Sequence, residues 1–286
     1  MTTASDSLKI AFSPCPNDTF VFHAWVHGLL PDAPKLEVTY ADIDITNRLA
    51  SDGSNKLDVL KISYAALPWV LDDYALIPCG GALGRGCGPL VLTNGGSSDP
   101  ASLKGRRVAV PSDRSTAYLL FRLWAAQLVP GGVGEIVVMP FHEIMPAVRD
   151  GRIDAGLVIH EARFTYPNYG LTMLADLGSW WESDTGLPIP LGAIIARRSL
   201  DLAAISRWTQ ASVEHAWKHP QLSQAYVMQH AQEMDPQVAQ AHIDLYVNDF
   251  TGSLGGSGYA AVTSLLTRAA EEGLVPAIDP AKLLLP

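Results

Sequence analysis

One histidine stands where the sequence favours proton chemistry. His160 follows the apolar run Gly156-Leu-Val-Ile159 at the expected carboxyl end of a strand and precedes Glu161, which could orient or tune an imidazole. An unperturbed imidazole titrates near pH ~6.5, so this side chain suits a general base. A core histidine making one backbone hydrogen bond fits the same pattern. The other seven, His23, His27, His142, His215, His219, His230 and His242, fall mostly in helical or polar contexts. His23 and His27 are spaced i, i+4, but no nearby Glu or third ligand completes a zinc site, so no metal is expected.

Three loops carry further polar groups. In Ser13-Pro-Cys-Pro-Asn-Asp-Thr-Phe20, two prolines stiffen the chain around Cys15, and Asn17, Asp18 and Thr19 can cap the helix that follows. The first strand-to-helix loop of an α/β sheet often borders the ligand, which makes Asn17 a candidate contact. Cys15 reads equally as a thiol touching substrate or as an inert buried one. Gly80-Gly-Ala-Leu-Gly-Arg-Gly-Cys-Gly-Pro89 lacks the Gly-Lys-Ser/Thr ending of a P-loop and precedes an apolar strand, so nucleotide binding is disfavoured. Within it Arg85 offers a guanidinium to a carboxylate, or is simply solvated. Pro111-Ser-Asp-Arg-Ser-Thr-Ala117 opens a helix, where hydroxyls and N–H groups either cap the helix or hold an anion. No G-x-S-x-G elbow occurs, which removes the α/β-hydrolase reading.

The elements that must position these groups alternate. Strands are expected at Leu8–Phe12, Leu36–Tyr40, Leu57–Ile62, Arg107–Val110, Glu135–Met139 and Ala155–Ile159, with helices at Thr19–Leu30, Ile45–Ala50, Tyr64–Leu71, Thr116–Gln127 and Glu143–Asp150 between them. Such alternation implies mostly parallel sheets flanked by helices. Lys56-Leu-Asp-Val-Leu-Lys-Ile-Ser63 and Arg152-Ile-Asp-Ala-Gly-Leu-Val-Ile-His160 form an imperfect repeat, ending in Ser63 and His160, which are expected to look into one crevice. Irregular connectors at 93–104 and 182–190 suggest an inserted domain: residues 1–93 with 191–286 form one lobe, 94–190 the other, with the cleft between them. From Asp201 onward the chain reads as helices, including Ile205–His219, Leu222–Glu233 and Tyr259–Glu272.

Composition sets the outer bounds. The chain has 286 residues, 48% hydrophobic and 17% charged, with a net charge of −9 and no basic stripe, so nucleic acid is not an expected partner. No apolar run approaches the roughly 18–20 residues of a membrane span, and the opening residues lack the pattern of a secretory signal, so a cytoplasmic location and no membrane association are expected. Cys15, Cys79 and Cys87 form no C-x-x-C pair, which argues against a disulfide framework.

Taken together, Ser13–Phe20, Lys61-Ile-Ser-Tyr-Ala-Ala66, Gly80–Leu90, Ser115-Thr-Ala-Tyr118, Ile159-His-Glu-Ala-Arg-Phe-Thr-Tyr166 and Gly186-Leu-Pro-Ile-Pro-Leu-Gly192 resemble the 1,4-dihydroxy-6-naphthoate synthases of the futalosine route to menaquinone. The resemblance implies a two-lobed, periplasmic-binding-protein-like (type II) α/β fold. It implies a cytoplasmic carbon–carbon lyase acting on cyclic dehypoxanthinyl futalosine without a cofactor. By carry-over, His160 is the catalytic base, and Lys61, Ile62 and Ser63, with Thr116 and Ala117, contact substrate. Two other readings remain: a non-catalytic small-molecule binding or sensing protein, and the chorismate-dehydrating enzyme of the same route.

Overall fold

In the computed structural model the strand-helix alternation holds across the described residues, which are all but 1–6, 53, 55–56, 233–234 and 286. Lys56 of the imperfect repeat and Glu233 at the end of an expected helix lie outside them. β1 (Ser7–Phe12) leads through α1 (Pro16–Val26) to β2 (Lys35–Tyr40), and α2 (Ile43–Ser51) leads to β3 (Val59–Ser63). A short 3-10 helix (Tyr64–Trp69), β4 (Tyr74–Gly84), β5 (Leu90–Thr93) and β6 (Val108–Val110) follow. Next come α3 (Thr116–Leu128), β7 (Ile136–Val138), α4 (Phe141–Arg149), β8 (Ala155–Val158) and α5 (Ala162–Thr165). β9 (Thr172–Asp176), α6 (Leu177–Thr185) and β10 (Ile189–Arg197) complete the sheets. The helical tail comprises α7 (Leu202–Lys218), α8 (Pro220–His230), α9 (Pro236–Tyr246), α10 (Asp249–Gly252) and α11 (Gly255–Glu271).

Two five-stranded sheets result, in the orders β2-β1-β3-β10-β4 and β7-β6-β8-β5-β9. The pairings β1/β2 and β1/β3 are parallel, as are β6/β7 and β6/β8, whereas β10 and β5 run antiparallel to both of their neighbours. The reversed strand in each sheet is thus the one entered by a crossing between lobes. β5, expected at the end of the first lobe, hydrogen-bonds to β8 and β9, so the chain changes sheets before Leu90 rather than after residue 93.

Local chemistry explains the other shifts. α1 starts at Pro16 rather than Thr19 because proline at the first helical position loses no bonded N–H. Tyr64–Leu71 is held to a 3-10 helix ending at Trp69, with Pro68 inside it. The first half of the glycine-rich segment, through Gly84, is strand.

Each sheet is sealed by apolar side chains. Ile10, Phe12, Phe22, Trp25 and Ile194 pack on one face of the first sheet, and Leu60, Ile62, Tyr64, Leu76 and Ile195 on the other. Val108, Val110, Phe121, Trp124 and Trp181 form the main core of the second. Fully burying side chains such as Phe12 or Phe22 stabilises by about 1.5–3 kcal/mol each. α11 serves both cores: Ala261, Val262 and Leu266 pack with the first sheet's cluster, Leu265 and Ala269 with the second's.

Candidate active site

The strand ends of the two sheets converge on a cavity lined by residues of both lobes. Among its lining residues are Asn17, Lys61, Ser63, Thr116, Ala117 and His160, which lie far apart in sequence. The cavity wall therefore contains six of the eight candidate site residues. The other two face elsewhere. Side chains alternate along a strand, so with Lys61 and Ser63 on the cavity side of β3, Ile62 points into the apolar core. Arg85 is exposed, 3.2 Å from Glu182 Oε2 and donating to Gly186 O at 3.0 Å, because α6 presents that carboxylate directly to it.

The first lobe contributes a buried polar network. Lys61 Nζ donates to Asp18 Oδ1 at 2.6 Å and to Gly80 O at 3.4 Å, and both charged side chains are almost wholly enclosed. Asn17 Nδ2 donates to the same Asp18 oxygen at 2.9 Å. Breaking such a pair by removing one charge typically costs about 3–5 kcal/mol, since the other is left buried and uncompensated. Lys61 thus lines the cavity as one half of an ion pair with Asp18. Ser63, at the end of β3, is held by Asn47 of α2: its N–H donates to Asn47 Oδ1 at 2.8 Å, while its Oγ accepts from Asn47 Nδ2 at 3.0 Å. The Ser63 hydroxyl proton remains available to the cavity.

The second lobe supplies the N-terminus of α3. Ser115 caps it by accepting the Tyr118 N–H at 3.1 Å. The Thr116 hydroxyl donates to Leu191 O at 2.8 Å and accepts the Ala65 N–H at 3.2 Å. That hydroxyl is an inter-lobe clamp, which leaves the backbone N–H groups of Thr116 and Ala117, without a partner inside the helix, as the groups these residues could offer a ligand.

His160 lies just past β8 with φ at +54°, one of two non-glycine residues with positive φ among those described. A left-handed histidine at the mouth of a cavity is a strained position of the kind that clusters at functional sites. Its Nδ1 lies 3.3 Å from Cys15 Sγ, Phe141 meets the ring edge-on and His242 lies stacked beside it. Burial lowers the His160 pKa to about 4; among its neighbours Asp18 opposes that fall and Lys61 reinforces it, so the ring is neutral at neutral pH. Burial, reinforced by the Glu161 charge, pushes the Cys15 thiol well above its ordinary range.

Cys15, His160 and Glu161 each place a potential metal-ligand atom within 4.8 Å of the others.

Local spacing missed Asn47, His242 and Tyr246, which join this region from distant helices. His242 and Tyr246 of α9 line the cavity, and Asn47 braces Ser63. The one legible signal was the i, i+4 spacing of His242 and Tyr246, which places both on one face of α9.

Comparison with known proteins adds identity to this geometry. Residues 8–271 match the family described as menaquinone biosynthesis. The chain is 69% identical over 286 residues to a 1,4-dihydroxy-6-naphthoate synthase of Streptomyces coelicolor, covering 99% of this chain and 100% of that protein. It is 45% identical over 272 residues to the protein of that name from Thermus thermophilus, covering 94% and 96%. A crystal structure of an Archaeoglobus fulgidus protein superposes with a TM-score of 0.86 at 34% identity, covering 96% of this chain and 100% of that one. The periplasmic aliphatic sulphonate binding protein of Escherichia coli shares the fold, with a TM-score of 0.72 at 16% identity over 99% and 93% of the two chains. Matching nearly end to end, with two lobes closing on one cavity, the chain belongs to the menaquinone-biosynthesis family whose relatives are the 1,4-dihydroxy-6-naphthoate synthases.

Proposed function

We propose that the protein is a cytoplasmic, cofactor-free lyase that converts cyclic dehypoxanthinyl futalosine to 1,4-dihydroxy-6-naphthoate, with His160 as general base. The observation that carries the reading is a neutral His160, set in a strained backbone at the cavity wall with Nδ1 against Cys15. In the tautomer whose Nδ1–H donates to the Cys15 sulfur, Nε2 holds the lone pair that takes a proton next to the substrate's carbonyl. As the enolate collapses, the carbon–carbon bond to the sugar-derived fragment breaks, the fragment leaves with the bond's electron pair and takes the proton back from the His160 imidazolium, and aromatisation of the remaining ring drives the step.

The Ser63 hydroxyl and the N–H groups of Thr116 and Ala117 are all donors, which suits a carboxylate. Asn17 and Lys61 hold Asp18 in place at the cavity wall. The lobes in this reading exchange chain at residues 85–89 and 186–188, and the cavity at their junction excludes water from the base. A cytoplasmic location fits a biosynthetic enzyme, and among the described residues no helix is long and apolar enough to cross a membrane.

Incubating the purified protein with cyclic dehypoxanthinyl futalosine and, separately, with chorismate tests the proposal. Release of 1,4-dihydroxy-6-naphthoate from the first is the expected result. An enolpyruvyl benzoate formed from chorismate would assign the dehydratase step instead, and binding without turnover of either compound would make the protein a binder.

A further inference from the structure

The network at the cavity wall fixes the protonation of a second histidine. Asp18 is a carboxylate and can only accept, so the Asn17 group 2.9 Å from it must be the amide nitrogen. The Asn17 oxygen is thereby turned to His242, 3.0 Å from Nε2, and an oxygen there requires Nε2 to carry the proton. Nδ1 of His242 is then a bare lone pair. That atom is buried and has no hydrogen-bond partner among the described residues, although His242 itself lines the cavity. Burial, with His160 and Lys61 nearby, holds the ring pKa well below its ordinary value, so protonation does not remove the lone pair at neutral pH. A buried acceptor without a donor is costly, and a ligand that supplies one relieves the cost.

We propose that His242 is a substrate-binding residue, locked as the Nε2–H tautomer by the Lys61–Asp18–Asn17 chain so that Nδ1 accepts a hydrogen bond from a hydroxyl of the bound substrate. This rests on the functional reading above and narrows it. Ser63 and the start of α3 offer donors, His242 offers an acceptor, and together they select a ligand that bears both a carboxylate and a hydroxyl. His160 remains free for chemistry because the two imidazoles have different partners, Cys15 for one and Asn17 for the other.

Two substitutions separate the acceptor from the scaffold. His242→Gln keeps an N–H for Asn17 but has no counterpart of Nδ1, whereas His242→Asn retains an oxygen near Nδ1 and gives up the Asn17 contact. With cyclic dehypoxanthinyl futalosine, His242→Gln should raise KM about tenfold, the worth of one lost hydrogen bond, with kcat within about threefold. His242→Asn should recover part of that loss despite a lower melting temperature, a pattern that a purely structural role would reverse. Nitrogen-15 spectra of the wild-type ring should show Nε2 protonated and Nδ1 bare, with Nδ1 shifting when substrate binds. An unchanged KM in His242→Gln, or a protonated Nδ1, would overturn the assignment while leaving wild-type turnover intact. Wild-type protein that neither binds nor converts the compound would instead overturn the functional reading, and with it the substrate half of this one.

Discussion

His160, the proposed base, sits in a backbone conformation that few side chains adopt, and that sets the substitution of choice. Asparagine enters the left-handed region more readily than alanine, so His160→Asn should keep the fold while removing the base. Turnover should fall by about 10²–10⁴-fold, the usual range for a positioned general base, with a circular dichroism spectrum like that of wild type. Acid should affect rate and stability differently. The His160 pKa is lowered to about 4, so the acid limb of kcat/KM assigned to this ring should lie well below pH ~6.5. His23 is likewise lowered to about 4 by burial, and His242 lies well below 6.5. Between pH ~6.5 and about 4 the unfolded chain therefore takes up protons that the folded chain refuses, and stability should fall as pH falls through that window. Urea melts at pH 7 and pH 5 check the sign. At this scale the sequence points to the candidate residue and shows little of its setting: His160 stands out by its place after a strand, but Cys15 is 145 residues away and His242 is 225 residues from Asn17.

At the scale of elements, glycine fixes how closely the first crossing can pack. A Cβ at Gly88 would lie 2.0 Å from the Gly178 backbone nitrogen, where the loop before β5 passes the first turn of α6. Neither backbone can yield locally, because Arg163 donates to Gly86 O and Gly88 O while paired with Asp176, whose other oxygen caps α6. Gly88→Ala should therefore destabilise by about 3 kcal/mol or more, read as a lowered denaturation midpoint with unchanged m-value. The glycine-rich segment was recognisable in sequence as lacking a P-loop ending, but its packing partner was not. Nothing in the spacing of Gly88 indicates that another glycine backbone lies against it.

Across the whole molecule, the lobes are joined by more than the two crossings. The Thr116 hydroxyl links α3 to Leu191 of β10 and to Ala65 beyond β3, and α11 sends one face into each core. Thr116→Val would leave a carbonyl and an N–H without their partner, so stability should drop by about 1–3 kcal/mol, while the backbone N–H groups facing the ligand are retained. Thermal melts with and without substrate would show the lower midpoint together with a ligand-induced shift that survives. The sequence by itself determined the α/β class, the two-lobed plan and the family, and singled out the histidine proposed as base, because these rest on local periodicity, turn residues and motifs carried in short runs of chain. Only the tertiary structure decided that β5 and β10 run against their sheets, that Ile62 and Arg85 face away from the cavity, and that Thr116 is a clamp. It also decided that Asp18 and Asn17 orient a histidine from α9. Those outcomes depend on which distant groups meet, and hydrogen-bond direction and burial are settled only when the lobes close on one another.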